Sequence, residues 1–335
     1  MDPFTQGLTG IIAAQSPADK NTIRHATVAG LIGGMLPDAD IFIHAANDPL
    51  FNLLIHRHFT HSLIFIPAGG LIAAIMAWLL LRRRLGFLKT YLFATLGYAT
   101  GGPLDACTTY GTYLYWPFSN HRVAWDNIAI IDPVYSLILL VAIIMAFWKK
   151  ARRYARIGLI LAICYLMIGV AARNEAARVL RDTADRRGHQ TEGIRVMPTI
   201  GNLILWRGIY ETDGRFHVDG IRLGLLGPHR VYAGPDVQKF QADECASGSE
   251  KTRVCRNIDG FSHFADGYVF AYTQAPLVIG DLRYSMLPHE IEPLWGLVVH
   301  PKNPEKRSQL KYFDQIHPET LKQFWRMLTG TYPSR

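Results

Sequence analysis

Met35-Leu-Pro-Asp-Ala-Asp40 and, after a short connection, His56-Arg-His-Phe-Thr-His61-Ser62 form the stretch on which the reading of this chain turns. It places two carboxylates two residues apart, and three imidazoles, between Gly-rich apolar sequence and a long apolar run. Carboxylate oxygen and neutral imidazole nitrogen are the donors that Zn²⁺, Mn²⁺ or Fe²⁺ accept. On a helix Asp38 and Asp40 would point to nearly opposite sides, as would His56 and His61, whereas residues two apart in a turn or extended segment share a face. Pro37 and the glycines before it favour such a break, so the spacing predicts a loop site. Thr60 stands just before the apolar run and is expected to cap its helix, with His61 on the first turn. A single His or Asp in a loop is ordinarily a solvated or capping residue. Several of them beside a membrane-grade apolar segment, where ionisable groups are costly, point to a site.

The rest of the chain supplies the membrane. Of 335 residues 49% are hydrophobic and 19% charged, yet the mean hydropathy is only +0.09, so the apolar residues are concentrated. Nearly all long uncharged runs lie before residue 173. Ser62–Leu81 carries no charge and closes on Arg82-Arg-Arg84, which makes it the clearest spanning helix. Ala26–Leu36 is too short to cross alone and is expected to be a buried helix leading into the Asp loop. Tyr91–Leu104 is uncharged and meets Asp105, an ionisable residue at a segment end that is either part of a site or an interior hydrogen-bonded acid. The Thr108–Phe118 segment, dense in Tyr and Trp, has the composition of a membrane–water interface. Asp132, before Pro133, is expected to cap a helix running to Trp148. Ile157–Ala172 is the last apolar run, with Cys164 read as a buried small hydrophobe. The start, with Asp2 and no basic residue, does not read as a cleavable signal peptide.

The formal charge of +8 comes largely from clusters directly after apolar runs, Arg82–Arg84 and Lys149–Arg153. That is the mark of cytoplasmic loops and argues against nucleic acid as a partner. With both loops inside, the His56–His61 loop, Asp105 and the aromatic connection all fall on the outer side, which is the sequence argument for one site.

Six separated motifs occur in a fixed order: Met1-Asp-Pro-Phe-Thr-Gln-Gly7, Pro37-Asp-Ala-Asp40, His56–Ser62, Leu104–Gly111, Trp116-Pro-Phe-Ser119 and Ile131-Asp-Pro133. Over roughly residues 1–150 the chain resembles the bacterial membrane-bound metal-dependent hydrolases, the DUF457 or YdjM-like family. The resemblance implies that Asp38, Asp40, His56, His61 and Asp105 are ligand positions for a divalent metal, zinc first and Mn or Fe as alternatives. It implies catalytic roles for Asp38 and Asp105. Two departures stand out: Gln6 and Gly101 occupy places where many relatives have His, so the site takes fewer or different ions, or His25 or His121 substitutes. Arg57 and Arg122 are candidates for holding an anionic group of the substrate, although a surface position near headgroups explains Arg122 better.

After Arg173 the character changes. Residues 173–193 read as a charged helical connector, and 194–335 as a small antiparallel β domain with a terminal helix from His317-Pro-Glu to Gly330. The expected strands are Asn202–Tyr210, Arg215–Leu223, Tyr268–Tyr272, Leu277–Arg283 and Trp295–Val299, with Thr212-Asp-Gly214 as a hairpin turn. Cys245 and Cys255 lie in a polar loop and are compatible with a disulfide in an oxidising compartment.

The expected whole is a polytopic α-helical membrane domain of four to six helices (1–172) and an extramembrane β domain, set in a bacterial inner membrane with the β domain periplasmic. The expected activity is metal-assisted hydrolysis of an ester or phosphoester on a membrane lipid or other amphiphile. The alternative is a non-enzymatic membrane protein whose Asp/His cluster holds a structural metal or passes an ion or proton. Sequence leaves the substrate and oligomeric state open.

Overall fold

The computed structural model describes residues 1–43, 45, 48, 50–224, 227–241, 253–274, 276–300, 307–313 and 317–333. They fall into two units, the first built from 1–43, 55–171 and 200–203, the second from 44–54, 172–199 and 204–335.

In the first unit, Asp2 accepts a bond from Thr5 N and Pro3 sits in the first turn of α1 (Pro3–Gln15). α2 (Ile23–Met35) packs closely on α1. A Cβ on Gly30 would stand within 2.6 Å of both the Gly10 carbonyl oxygen and Ala14 Cβ, so only glycine fits there. α2 leads, as expected, into the Asp stretch, which is a 3₁₀ turn (Pro37–Phe42). α3 (Phe51–Ile55) follows, then 3₁₀ turns at Phe59–His61 and Leu63–Phe65 before α4 (Ile66–Leu81).

Two expectations about these elements are corrected. Thr60 does not cap α4. The helix begins at Ile66 with Pro67 in its first turn, because proline fits where no donor is needed, and the Thr60 hydroxyl donates to Asp40 instead (2.6 Å). The uncharged Tyr91–Leu104 stretch is not one helix but parts of α5 (Phe87–Tyr98) and α6 (Gly101–Ala106). Pro103 cannot donate to the Ala99 carbonyl and its ring would crowd it, which breaks the helix there.

α7 (Pro133–Lys149) starts as predicted, with Asp132 Oδ1 accepting from Val134 N and Tyr135 N, each at 3.0 Å. α8 (Arg152–Arg186) runs for 35 residues, taking the last apolar run and most of the charged connector into one helix.

The core of this unit includes Ile12, Ala26, Ala73, Ala77, Leu139 and Ala162. Its outside is apolar too: Leu71, Ile75 and Leu79 on α4, Leu137 and Val141 on α7, and Ile157, Ile160 and Ile168 on α8 are exposed. Apolar residues on both faces fit a hydrocarbon solvent better than water. Leu63–Leu81 and Arg152–Arg186 are long and apolar enough to cross a membrane, and α7 is a shorter apolar helix. Cys164, read as buried, is exposed: its position one turn from Ile160 and Ile168 places it on this outward face.

The second unit holds two four-stranded antiparallel sheets joined in sequence order. The first is β1 (Gly193–Pro198), β2 (Leu205–Thr212), β3 (Arg215–Arg222) and β4 (Arg230–Gln238). Thr212 pairs with Arg215 across a two-residue turn in which Asp213 and Gly214 both have positive φ (50° and 67°), the hairpin that the sequence signalled. α9 (Arg253–Phe264) precedes the second sheet of β5 (Val269–Gln274), β6 (Leu277–Asp281), β7 (Trp295–Val299) and β8 (Gln309–Tyr312). α10 (Pro318–Thr329) has Pro in its first turn and ends on Gly330 in the left-handed region (φ 78°), as its sequence predicts.

The expected Cys245–Cys255 bridge involves Cys245, which lies outside the described residues; Cys255 is buried on α9.

Candidate metal centre

Four elements of the first unit meet at His61. Asp38 and Asp40 reach it from the 3₁₀ turn after α2, and His61 itself ends the turn Phe59–His61. Asp105 comes from α6, and the amino end of α1 brings Met1 and Gln6. Gly102 permits the meeting: a Cβ there would overlap the His61 carbonyl oxygen, so any larger residue would push α6 away from the His loop.

Asp38, His61 and Asp105, all buried, present donor atoms within 4.8 Å of one another. His61 Nε2 lies 3.2 Å from Asp38 Oδ1 and 3.0 Å from Asp105 Oδ2. The edges of a tetrahedron of ligands around Zn²⁺ measure roughly 3.3 Å, given metal–ligand distances of about 2.0–2.1 Å. Two carboxylates and an imidazole at these separations are a fitting donor set for a divalent cation.

The other two predicted ligands stand one layer out. Asp40 Oδ1 pairs with His56 Nδ1 (2.7 Å), while Oδ2 accepts from Arg57 N (2.9 Å) and from Thr60 (2.6 Å). Thr60 Oγ1 is also 3.0 Å from His61 Nδ1, and Asp40 Oδ2 is 3.5 Å from the same nitrogen. A carboxylate behind a ligating imidazole fixes its tautomer and ring orientation. Asp40 and Thr60 thus turn Nε2 of His61 toward Asp38 and Asp105. Neither His25 nor His121 joins the group; His121 is exposed and its backbone N–H donates to Ser119 Oγ.

Asp105 is fully buried among cations and donors. The Met1 ammonium donates to Oδ1, Gln6 Nε2 donates to Oδ2 (3.0 Å), and Arg57 Nε lies 3.2 Å from Oδ2. Gln6, one of the two departures noted in sequence, therefore stays in the site as a donor to a ligand position. Arg57 also donates through Nη2 to the Met1 carbonyl (3.1 Å) and through Nη1 to Thr108 (3.3 Å), with its guanidinium over the Tyr110 ring. Arg122 is buried, donates to the carbonyl oxygens of Tyr110 (2.7 Å) and His56 (3.5 Å), and lies over the same ring. Both arginines hold the loops together; sequence alone gave no sign of that role. His58 points elsewhere, packing against Tyr113 and Trp116.

The charge balance of the site follows. Burial opposes a proton on His61, but bonds to Asp105, Asp38 and Asp40 outweigh it and push the imidazole up to about 10. Burial likewise opposes the Asp40 carboxylate, and bonds from His56, His61 and Thr60 hold it well below the usual carboxylate range. The carboxylates thus require positive charge at the centre, which either a proton or a divalent cation can supply.

Among known proteins, the model of the YdjM inner membrane protein family matches residues 1–176. Inner membrane protein YbcI of Escherichia coli (strain K12) is 35% identical over 98 residues, 28% of this chain and 54% of that protein, so the chain spans about half of its length. No solved structure matches. The matched residues contain the whole Asp/His centre and make up more than half of the chain, and this chain belongs to the YdjM inner membrane protein family.

Proposed function

We propose that the chain is a membrane-embedded hydrolase that uses a divalent cation at Asp38, His61 and Asp105, zinc being the best fit to the donor set. The observation that carries this reading is the buried Asp–His–Asp group with its supporting Asp40. When bound there, a divalent cation would act as a Lewis acid, polarising a scissile ester and acidifying a water. The chain's own residues divide the remaining work by exposure. Asp105 is sealed and held by three donors, which makes it the anchor. Asp38 has a side chain 10% open to solvent, so a water can meet the group at its carboxylate, the natural acceptor for the water's proton. His56, paired with Asp40, has a side chain 20% exposed.

The partner is taken to be a membrane lipid or other amphiphile, because the centre lies in the unit that carries the outward apolar helices. The topology proposed is polytopic, with Arg82–Lys89 and Lys149–Arg156 cytoplasmic and the β-rich unit periplasmic. Cysteine introduced at Gly86 is expected to resist an impermeant thiol reagent in intact cells, while cysteine at Gly193 reacts; a Cβ at either position meets nothing within 4 Å. The opposite labelling pattern places the centre on the cytoplasmic side.

One feature favours the non-enzymatic alternative: Asp105 is already paired with Arg57, as a structural ion cluster would be. Incubating the purified protein with total membrane lipid extract separates the two. Products that appear with wild type and vanish on Asp38→Asn support hydrolysis, whereas metal content without turnover on any lipid supports the alternative.

A further inference from the structure

The second unit contains a cavity of about 910 Å³ that no part of the metal centre uses. Its walls include Tyr232 of β4, the loop before β7 with His289, Glu290 and Glu292, Arg326 of α10, and Tyr332 beyond that helix. This volume falls in the range of small-molecule sites.

The cavity is built on a rigid floor. Arg207 is buried and donates to the carbonyl oxygens of Leu282 (2.8 Å), Leu287 (3.3 Å), Pro288 (2.9 Å) and Glu290 (2.7 Å). One guanidinium thus fixes the backbone that presents His289 and both glutamates. Tyr232 is fixed by its hydroxyl donating to Met327 O (3.1 Å), and the Tyr332 ring meets it edge-on at 5.5 Å. Locking a wall in place beforehand lowers the ordering cost of binding.

The chemistry of the walls selects the ligand. Glu290 and Glu292 both line the cavity. Among the described residues neither carboxylate has an ion-pair partner; Glu292 accepts only from the Tyr272 hydroxyl at 3.3 Å. His289 Nδ1 is buried with no hydrogen-bond partner among the described residues. Burial, and then the charge of Glu292, push the Glu290 carboxyl up, against the nearby charge of Arg207. The walls are therefore rich in acceptors and offer one cationic donor, Arg326. An anion would meet two carboxylates. An ammonium group carries donors alone. The Tyr332 face adds a cation–π wall, on which Arg326 already lies at 5.9 Å from the ring centre.

The geometry points to a binding site for an organic ammonium ligand in this cavity, held by Glu290 and Glu292 against Tyr332. The chain as a whole is formally +8, so saturable binding of a small cation cannot come from its general field.

Titration of the full-length protein in non-ionic detergent with 1,5-diaminopentane, followed by calorimetry, tests this. One saturable site is expected. Replacing Glu290→Gln and Glu292→Gln together is expected to weaken it at least about tenfold, the equivalent of one lost charge pair. Arg326→Gln should tighten it by removing the wall's own cation, an effect that misfolding cannot mimic. Glucose and inorganic phosphate should neither bind nor compete. No saturable heat with the diamine, unchanged binding in the double Gln variant, or unchanged or weaker binding in Arg326→Gln would each overturn the assignment.

Discussion

Asp105→Asn protein is expected to lose stoichiometric divalent metal and to unfold well below the parent's melting temperature. Asparagine keeps the shape of the side chain but removes the negative charge that Arg57 and His61 face. Those groups are buried, so the loss leaves uncompensated positive charge where water cannot screen it. Breaking a buried pair in this way costs about 3–5 kcal/mol. Equilibrium dialysis against Zn²⁺ and thermal unfolding in detergent measure the two effects. Full metal content in a well-folded Asp105→Asn protein would remove Asp105 from the ligand set.

Asp40→Asn is expected to act differently. Asp40 accepts from Arg57 N and Thr60 and lies behind the His61 ring, outside the Asp38–His61–Asp105 group. Losing such a supporting carboxylate lowers metal affinity about 10–100-fold without abolishing binding. Competition with a chelator of known affinity reads this directly, and Thr60→Val should show a smaller change in the same direction. Complete loss of metal in Asp40→Asn would make Asp40 a direct ligand, and an unchanged affinity would remove its supporting role.

The contrast between these variants also shows where sequence was informative. The residue types and order of Asp38, Asp40, His56, His61 and Asp105 were enough to expect a site, and the three that converge most tightly come from three segments. Their division into an inner group and a supporting layer was not legible. It depends on the 3₁₀ turn at Pro37–Phe42, which sends Asp38 to one nitrogen of His61 and Asp40 toward the other. The roles of Arg57 and Arg122 were hidden for a related reason: their acceptors include backbone carbonyls, which every residue carries. In the second unit, β2 and β3 were readable because Asp213-Gly214 marks their turn. β4 was missed because Gly234 and Pro235 interrupt it, a pattern tolerated on the edge strand that β4 forms. The break between α5 and α6 was signalled by Pro103, but the uncharged run around it read as continuous.

The central claim is that Asp38, His61 and Asp105 hold a divalent cation, and elemental analysis of protein purified without added metal tests it most directly. The account predicts close to one divalent ion per chain, retained in His58→Ala, whose side chain packs among aromatic rings, and lost in His61→Ala. Metal far below one per chain in wild type that cannot be restored by adding Zn²⁺, or undiminished metal in a folded His61→Ala protein, would contradict it.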